Sequence, residues 1–205
     1  MVVVDKLKES LDNPVLFNLV QFAISGKQDI TRRLIREGLE LGPGEALLDV
    51  CCGTGEFADV ALGPYLGIDI NSKYIGYATQ KYGAGKGHPE REFLADDITG
   101  AEFERRGLKF PKTMMINSMH HLSVEQNEQV LAAVARVTTE RLVIVDMNPT
   151  PGNPISKFLA EQDRGDYIRP LAEQVALTAR FFKVEKSYTY YAGLCGQTIL
   201  VCTVK

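Results

Sequence analysis

Hydrophobic and polar positions follow two periods along this chain. Short apolar runs suited to buried strands fall at residues 46–51, 65–70, 92–95, 113–117 and 142–146, and they alternate with amphipathic stretches of helical spacing at 56–62, 72–81 and 124–137. Strand–helix alternation of this kind predicts a parallel sheet with helices on both faces. The pattern changes after residue 180. Residues 184–191 and 198–204 are two further strands, joined by a short glycine-bearing connection over 192–197, so the sheet should finish in an antiparallel hairpin. Before the first strand, Asn13-Pro14 opens a helix with Val15, Leu16, Leu19, Val20 and Ala23 on one stripe. A second helix carries Ile30, Leu34, Ile35 and Leu39 and stops at Gly42-Pro43-Gly44. The expected organisation is one structural domain, with an N-terminal helical extension or lid over residues 1–44 and an α/β unit over 45–205. Residues 83–89 read as a loop. The segment 148–180, rich in Asn-Pro and Pro-Gly turns at its start, is long for a crossover and has the length to cover a pocket.

Composition narrows the class. With 205 residues the chain is long enough for a full hydrophobic core. A net charge of −3 and a pI near 5.7, with no basic run of five residues, argue against nucleic acid as the main partner. No stretch of eighteen apolar residues exists to span a membrane, and Asp5 interrupts the opening valines too early for a secretory signal, so a cytoplasmic enzyme is expected. The four cysteines lack CxxC spacing. Cys51 and Cys52, adjacent at a strand end, would point to opposite faces and chelate no common metal, so no metal site is expected.

The densest chemistry lies in Asp49-Val50-Cys51-Cys52-Gly53-Thr54-Gly55, which follows the apolar Ala46-Leu47-Leu48. Asp69, in Gly67-Ile68-Asp69-Ile70, comes fourteen residues after Gly55. A buried strand, a glycine turn, a helix and a second strand ending in an acid hold adenosine-containing cofactors. Glycines let backbone amides approach the ligand, and the acid accepts from the ribose hydroxyls. Gly53-x-Gly55-x-x-Ala58 also satisfies the dinucleotide pattern, so the glycines alone leave a nicotinamide cofactor open. Asp69 has a second possible role as the cap of a helix beginning at Asn71-Ser72, and Asp96 and Asp97 a similar one before Ile98-Thr99-Gly100.

In these motifs, and in Asp96-Asp97-Ile98 and His120-His121-Leu122, the chain resembles the class I S-adenosylmethionine-dependent methyltransferases, near the small-molecule group that includes quinone-biosynthesis methyltransferases. The resemblance runs from about residue 45 to the C-terminus. It implies a Rossmann-like seven-stranded, mostly parallel sheet with the C-terminal hairpin. It further implies S-adenosylmethionine as cofactor and S-adenosylhomocysteine as product. Asp49 then shapes the turn and the site for the cofactor's ammonium end, and Cys51 stands where glycine is common. Gly53 and Gly55 are retained. Asp69 meets the ribose and Ile70 follows it. Asp96 accepts from the adenine amino group, the backbone amide of Asp97 meets the ring, Ile98 packs on it, and Asn117 contacts the cofactor. Three features favour this cofactor over a nicotinamide: the C-terminal hairpin, Asp49 four residues before Gly53, and the second acidic pair.

Methyl transfer from a sulfonium asks the protein to align a nucleophile and exclude water, with a base where the acceptor is weak. The acceptor should sit beyond the end of the fourth strand, at Asn117-Ser118-Met119-His120-His121-Leu122. His120 is the first choice as base or acceptor-orienting group and His121 the second; the alternative is that the pair shapes the loop and packs. The acceptor expected is a small molecule, since no Asn-Pro-Pro-aromatic or Asp-Pro-Pro-aromatic tetrapeptide of base-methylating enzymes stands here. Phe17, Phe22, Phe158 and Tyr167 are candidates to line its pocket, and Arg164 or Arg169 to hold an anionic group. Tyr188, Tyr190 and Tyr191 alternate as sheet faces do. Two rival functions stay open: a nicotinamide-dependent oxidoreductase, and a non-catalytic methyltransferase-like partner protein that binds the cofactor.

Overall fold

A computed structural model describes residues 28–84, 90–149, 152–154, 157 and 165–205. The expected helix from Asn13, most of the 83–89 loop and much of the long crossover lie outside the described residues. Among those described, the order is α1 (Asp29–Leu39), β1 (Leu47–Val50), β2 (Tyr65–Asp69), α2 (Ser72–Tyr82), β3 (Arg91–Ala95), α3 (Ala101–Arg105), β4 (Phe110–Ile116), α4 (Val124–Val137), β5 (Thr138–Met147), α5 (Leu171–Thr178), β6 (Lys183–Ala192) and β7 (Cys195–Thr203).

The seven strands form one sheet in the order β3-β2-β1-β4-β5-β7-β6. The first five run parallel, and β7 is antiparallel to both β5 and β6, so the expected closing hairpin is present. Its connection is tighter than the sequence suggests. Ala192 pairs with Cys195 and Tyr191 with Gly196, leaving only Gly193 and Leu194 in the turn. Gly193 takes the positive φ, 59°, that a two-residue hairpin turn needs.

The central strands are buried on both faces, which explains their unbroken apolar runs. Along β5, Leu142 and Ile144 join one core layer with Leu131 and Val134 of α4 and Phe182. Val143 and Val145 join the opposite layer with Ile35 and Leu39 of α1 and Ile199 and Val201 of β7. That alternation is the two-residue period of a strand. Only Ile35 and Leu39 of α1's expected stripe are fully buried, while Ile30 is 39% exposed. Gly38 lets α1 sit close, because a Cβ there would lie 2.8 Å from Val143 Cγ2. α4 spans the expected residues and opens with a reciprocal capping box between Ser123 and Gln126.

The helix expected at 56–62 is a correction: only the 3₁₀ turn Ala58–Val60 forms there. The segment is hemmed in by Gly55 and Gly63-Pro64, too short to recover the cost of helix nucleation. Its carbonyls find partners elsewhere. Arg32 Nη2 donates to Glu56 O at 2.8 Å, and Arg36 donates to Asp59 O and Val60 O at 2.5 and 3.1 Å. Two arginines of α1 thus tie it to the chain leaving the glycine turn.

Candidate active site

The sheet order reverses between β1 and β4, and beyond the carboxyl ends of those strands lies a cavity of about 590 Å³. In an open α/β sheet this switch point is the natural ligand crevice. Its walls come from the turn after β1, the ends of β2 and β3, the loop after β4, and the first turns of α4.

The turn after β1 is tightly wound. Cys51, Gly53 and Gly55 have φ of 58°, 55° and 73°, a region that disfavours side chains. Cys51 therefore belongs to the turn and not to the strand end expected from its position. Gly53 lines the cavity, and a Cβ on it would meet no protein atom within 4 Å; it would project into open space instead. Gly55 is different. It does not line the cavity, and a Cβ there would lie 2.7 Å from Phe93 Cε1, so this glycine serves close packing. Burial, with the nearby carboxylates of Asp69, Asp49 and Asp97, pushes the Cys51 thiol up to about 12, and burial raises Cys52 as well. Neither is a thiolate nucleophile at neutral pH.

Asp69 ends β2 on the cavity wall. Its Oδ2 accepts from Gly53 N–H at 2.9 Å and its Oδ1 from Asn71 N–H at 2.8 Å, so one carboxylate fixes the turn against β2. Each oxygen retains acceptor capacity for a further donor. Capping of α2 falls to Asn71, whose Oδ1 accepts from Lys73 N–H and Tyr74 N–H. Asp49 departs from expectation. It does not line the cavity but lies beneath it, 2% exposed, with Oδ2 accepting from Tyr65 Oη–H at 2.8 Å and Oδ1 buried without a hydrogen-bond partner. Desolvation, helped by the Asp69 charge and opposed by the Tyr65 hydrogen bond, pushes its carboxyl up to about 7.

Ile70, Asp96, Asp97 and Ile98 line the cavity where the chain leaves β2 and β3. Ile70 is 79% exposed and Ile98 6%. The acidic pair divides its work. Asp97 Oδ1 accepts from Thr99 N–H and Oγ1–H at 2.8 and 2.7 Å, the local turn cap that Asp-Ile-Thr allows. Asp96 is held at 3.5 Å from Arg106 Nη2.

At the end of β4, Asn117 enters the left-handed region at φ 51° and donates its N–H to Val145 O, while its Oδ1 and Ser118 Oγ are buried without partners. A 3₁₀ turn, Met119–His121, follows. Here the order of the two histidines reverses. His120 is 3% exposed and absent from the cavity wall; its Nδ1 pairs with Asp146 Oδ1, and its N–H donates to Asp146 Oδ2 at 3.0 Å. His121 is exposed and lines the cavity, its ring 4.1 Å from that of His120. One histidine packs and the other faces the site.

Arg169 is likewise not available to an anion. It is 8% exposed and donates to Met119 O, Tyr167 O and Leu122 O. Tyr167 is 44% exposed and stacks over that guanidinium, outside the cavity lining. Phe17, Phe22, Phe158 and Arg164 lie outside the described residues. Tyr190 Oη–H donates to Thr31 Oγ1 at 3.0 Å on the α1 face, and Tyr191 is exposed, as strand alternation requires. The structure adds wall residues that sequence patterns do not single out, among them Gln28, Glu56, Phe57, Tyr74, Gln126 and Gln129. A signal existed for two of them: the Ser123-x-x-Gln126 capping box marks the start of α4 and thus which helical turn meets the sheet's carboxyl edge.

The fold is a Rossmann-like seven-stranded sheet, mostly parallel and closed by an antiparallel hairpin, with its crevice at the switch point. Residues 47–141 match the family model for a methyltransferase domain. It is 24% identical over 182 residues to a 2-phytyl-1,4-naphtoquinone methyltransferase of Synechocystis, covering 85% of this chain and 74% of that one. It is 32% identical over 141 residues to the O-methyltransferase cnsE of Penicillium expansum, covering 63% of this chain and 50% of that protein. In fold it is similar to the magnesium protoporphyrin IX methyltransferase of Synechocystis solved with S-adenosylhomocysteine, with a TM-score of 0.68 at 15% identity over 98% of this chain and 99% of that one. No helix among the described residues is long and apolar enough to cross a membrane.

Proposed function

We propose that this cavity holds S-adenosylmethionine and that the chain moves the cofactor's methyl group to a small-molecule acceptor presented beside His121. The observation that carries the reading is the Gly53–Asp69 pair. The glycine leaves space where any side chain would intrude, and the carboxylate facing it keeps lone pairs for the vicinal ribose hydroxyls. Cys51, Gly53 and Thr54 line the bend for the methionyl end. Asp96 accepts from the adenine amino group, and Ile70 and Ile98 enclose the ring. Asn117 Oδ1, lacking a protein donor, receives one from the cofactor's amino group. Asp49 and Gly55 shape the turn from behind.

When bound, the cofactor supplies a sulfonium-activated methyl, so the chain's task is orientation and exclusion of water. Orientation alone is worth up to roughly 7–11 kcal/mol in favourable cases. The His121 imidazole takes the proton of an acceptor hydroxyl or amine as it is methylated. His120, held by Asp146, fixes the turn on which His121 stands.

The relatives named above act on a phytyl naphthoquinone and a magnesium porphyrin, both bulky small molecules, which supports a small-molecule acceptor here. The test is a calorimetric titration with S-adenosylmethionine, S-adenosylhomocysteine and NADH, followed by labelled methyl transfer to a metabolite extract and to reduced 2-methyl-1,4-naphthoquinone. Binding of the adenosyl ligands and transfer to an extract component support the proposal. Tighter binding of NADH would overturn it in favour of an oxidoreductase, and binding without any transfer would favour a non-catalytic partner protein.

A further inference from the structure

We propose that Arg169 is the positioning residue of the acceptor wall, the side chain that sets where His121 stands; this rests on the assignment of His121 just made. Three residues of the irregular strap 165–170 before α5 converge on the 3₁₀ turn that carries His121. Gly165 lies against His120, where a Cβ would fall 2.8 Å from the His120 carbonyl oxygen. Tyr167 N–H donates to that same carbonyl at 3.0 Å. Arg169 Nη1 donates to Met119 O at 3.0 Å and Nη2 to Leu122 O at 2.8 Å, so the guanidinium brackets His121 from both sides along the chain.

Satisfying those carbonyls is not what Arg169 adds. Asn127 of α4 already donates its Nδ2–H to Met119 O and Leu122 O at 3.0 and 2.9 Å. The amide is a local tie, five to eight residues away in sequence, and holds the turn to α4. The guanidinium is a remote tie, 47 to 50 residues away, and holds the turn to the strap. Its own placement is fixed in turn: Nη1 also donates to Tyr167 O, the Tyr167 ring lies 5.5 Å from the guanidinium carbon, and Gln174 Nε2 donates to Arg169 O at 2.8 Å. Gln174 also donates to Met147 O, next to the Asp146 that pairs with His120. A rigid planar fork, buried among carbonyls and anchored at its base, imposes a direction on the turn that a flexible ammonium cannot reproduce.

The experiment uses the full chain labelled with ¹³C,¹⁵N-histidine, the His121 ring signals being assigned with a His121→Gln variant. Arg169→Ala is compared with wild type in the presence of S-adenosylhomocysteine, with and without added guanidinium ion. The proposal expects displaced His121 ring signals that return on adding guanidinium, and S-adenosylhomocysteine affinity within about 2-fold of wild type. With whichever acceptor the screen yields, kcat/KM falls about 100-fold while the cofactor KM holds, the effect of a small misplacement at the reacting centre. Arg169→Lys, kept as the variant most able to fold, should show the same displacement without rescue. Unmoved His121 signals with only a lowered Tm would overturn the proposal, and so would loss of S-adenosylhomocysteine affinity, because the guanidinium would then serve the whole fold. If His121→Gln leaves transfer intact, the catalytic assignment of His121 fails while the grip of Arg169 on the turn remains measurable.

Discussion

The two halves of the cavity are built by different means. On the cofactor half, the contacts that matter are local: Asp69 to Asn71 and Asp97 to Thr99 are two residues apart, and Gly53 to Asp69 is 16. On the acceptor half a local tie from Asn127 is joined by remote ones: His120 to Asp146 is 26 residues apart, and Arg169 to Met119 is 50. The first half is a backbone bend with carboxylates at strand ends, a shape any adenosyl cofactor needs. The second is a turn held by side chains from three later segments, α4, β5 and the stretch before α5, which leaves its shape open to variation without disturbing the first. Such a division separates binding of a common cofactor from choice of an acceptor.

The sharpest way to test that separation is His121→Ala. Transfer should fall by about 10²–10⁴-fold, the usual contribution of a positioned base, while calorimetry shows S-adenosylhomocysteine affinity unchanged. A parallel loss of cofactor affinity would break the division between halves. The complementary change is Asp69→Ala, which removes the proposed ribose acceptor and the anchor for Gly53 N–H. At roughly 1.5–3 kcal/mol for a charge-assisted hydrogen bond, affinity for S-adenosylhomocysteine should weaken about 10- to 150-fold. Asp69→Asn, keeping one oxygen, should fall between.

Gly165→Ala probes the acceptor half through packing alone. A Cβ there cannot fit against His120 without displacement, so thermal or urea unfolding should show a loss of about 1–3 kcal/mol. The cofactor half offers a subtler readout through Asp49. Its folded carboxyl titrates near 7, above the usual carboxylate range, so the folded state holds this proton more tightly than the unfolded chain does. That stabilisation is full below the unfolded value near 4 and is lost as pH rises to 7 and beyond, at about 1.4 kcal/mol per pH unit within the window. Asp49→Asn should remove this slope, so that urea midpoints of variant and wild type converge at low pH and the variant is the more stable above 7. Identical profiles would show that burial does not hold the Asp49 proton in the folded state.

How much of this was readable beforehand follows the same division. The parallel strands, the C-terminal hairpin and α4 follow from apolar runs and helical spacing, because burial on both faces of a sheet leaves a direct mark on the sequence. Gly53, Asp69 and the Asp96–Ile98 wall were legible for a related reason: each sits at a strand end with a turn residue beside it. The failures are just as physical. Gly55 and Asp49 carry the motif's letters but serve packing beneath the cavity, and nothing in a linear motif separates lining from support. His120 and His121 are adjacent and chemically identical, and only the remote carboxylate of Asp146 decides which one is buried. Arg169 stood as a candidate to hold an anion because two of the three carbonyls it binds come from a turn some fifty residues earlier. The helix expected at 56–62 gave way to arginines of α1 that claim its carbonyls.

The most direct test of the account is a crystal structure of the full chain grown with S-adenosylhomocysteine. The account predicts the ribose hydroxyls on Asp69, the adenine between Ile70 and Ile98 with its amino group toward Asp96, and the thioether sulfur opening toward His121. An adenosyl group bound elsewhere, or one in this cavity with its sulfur turned away from His121, would contradict it.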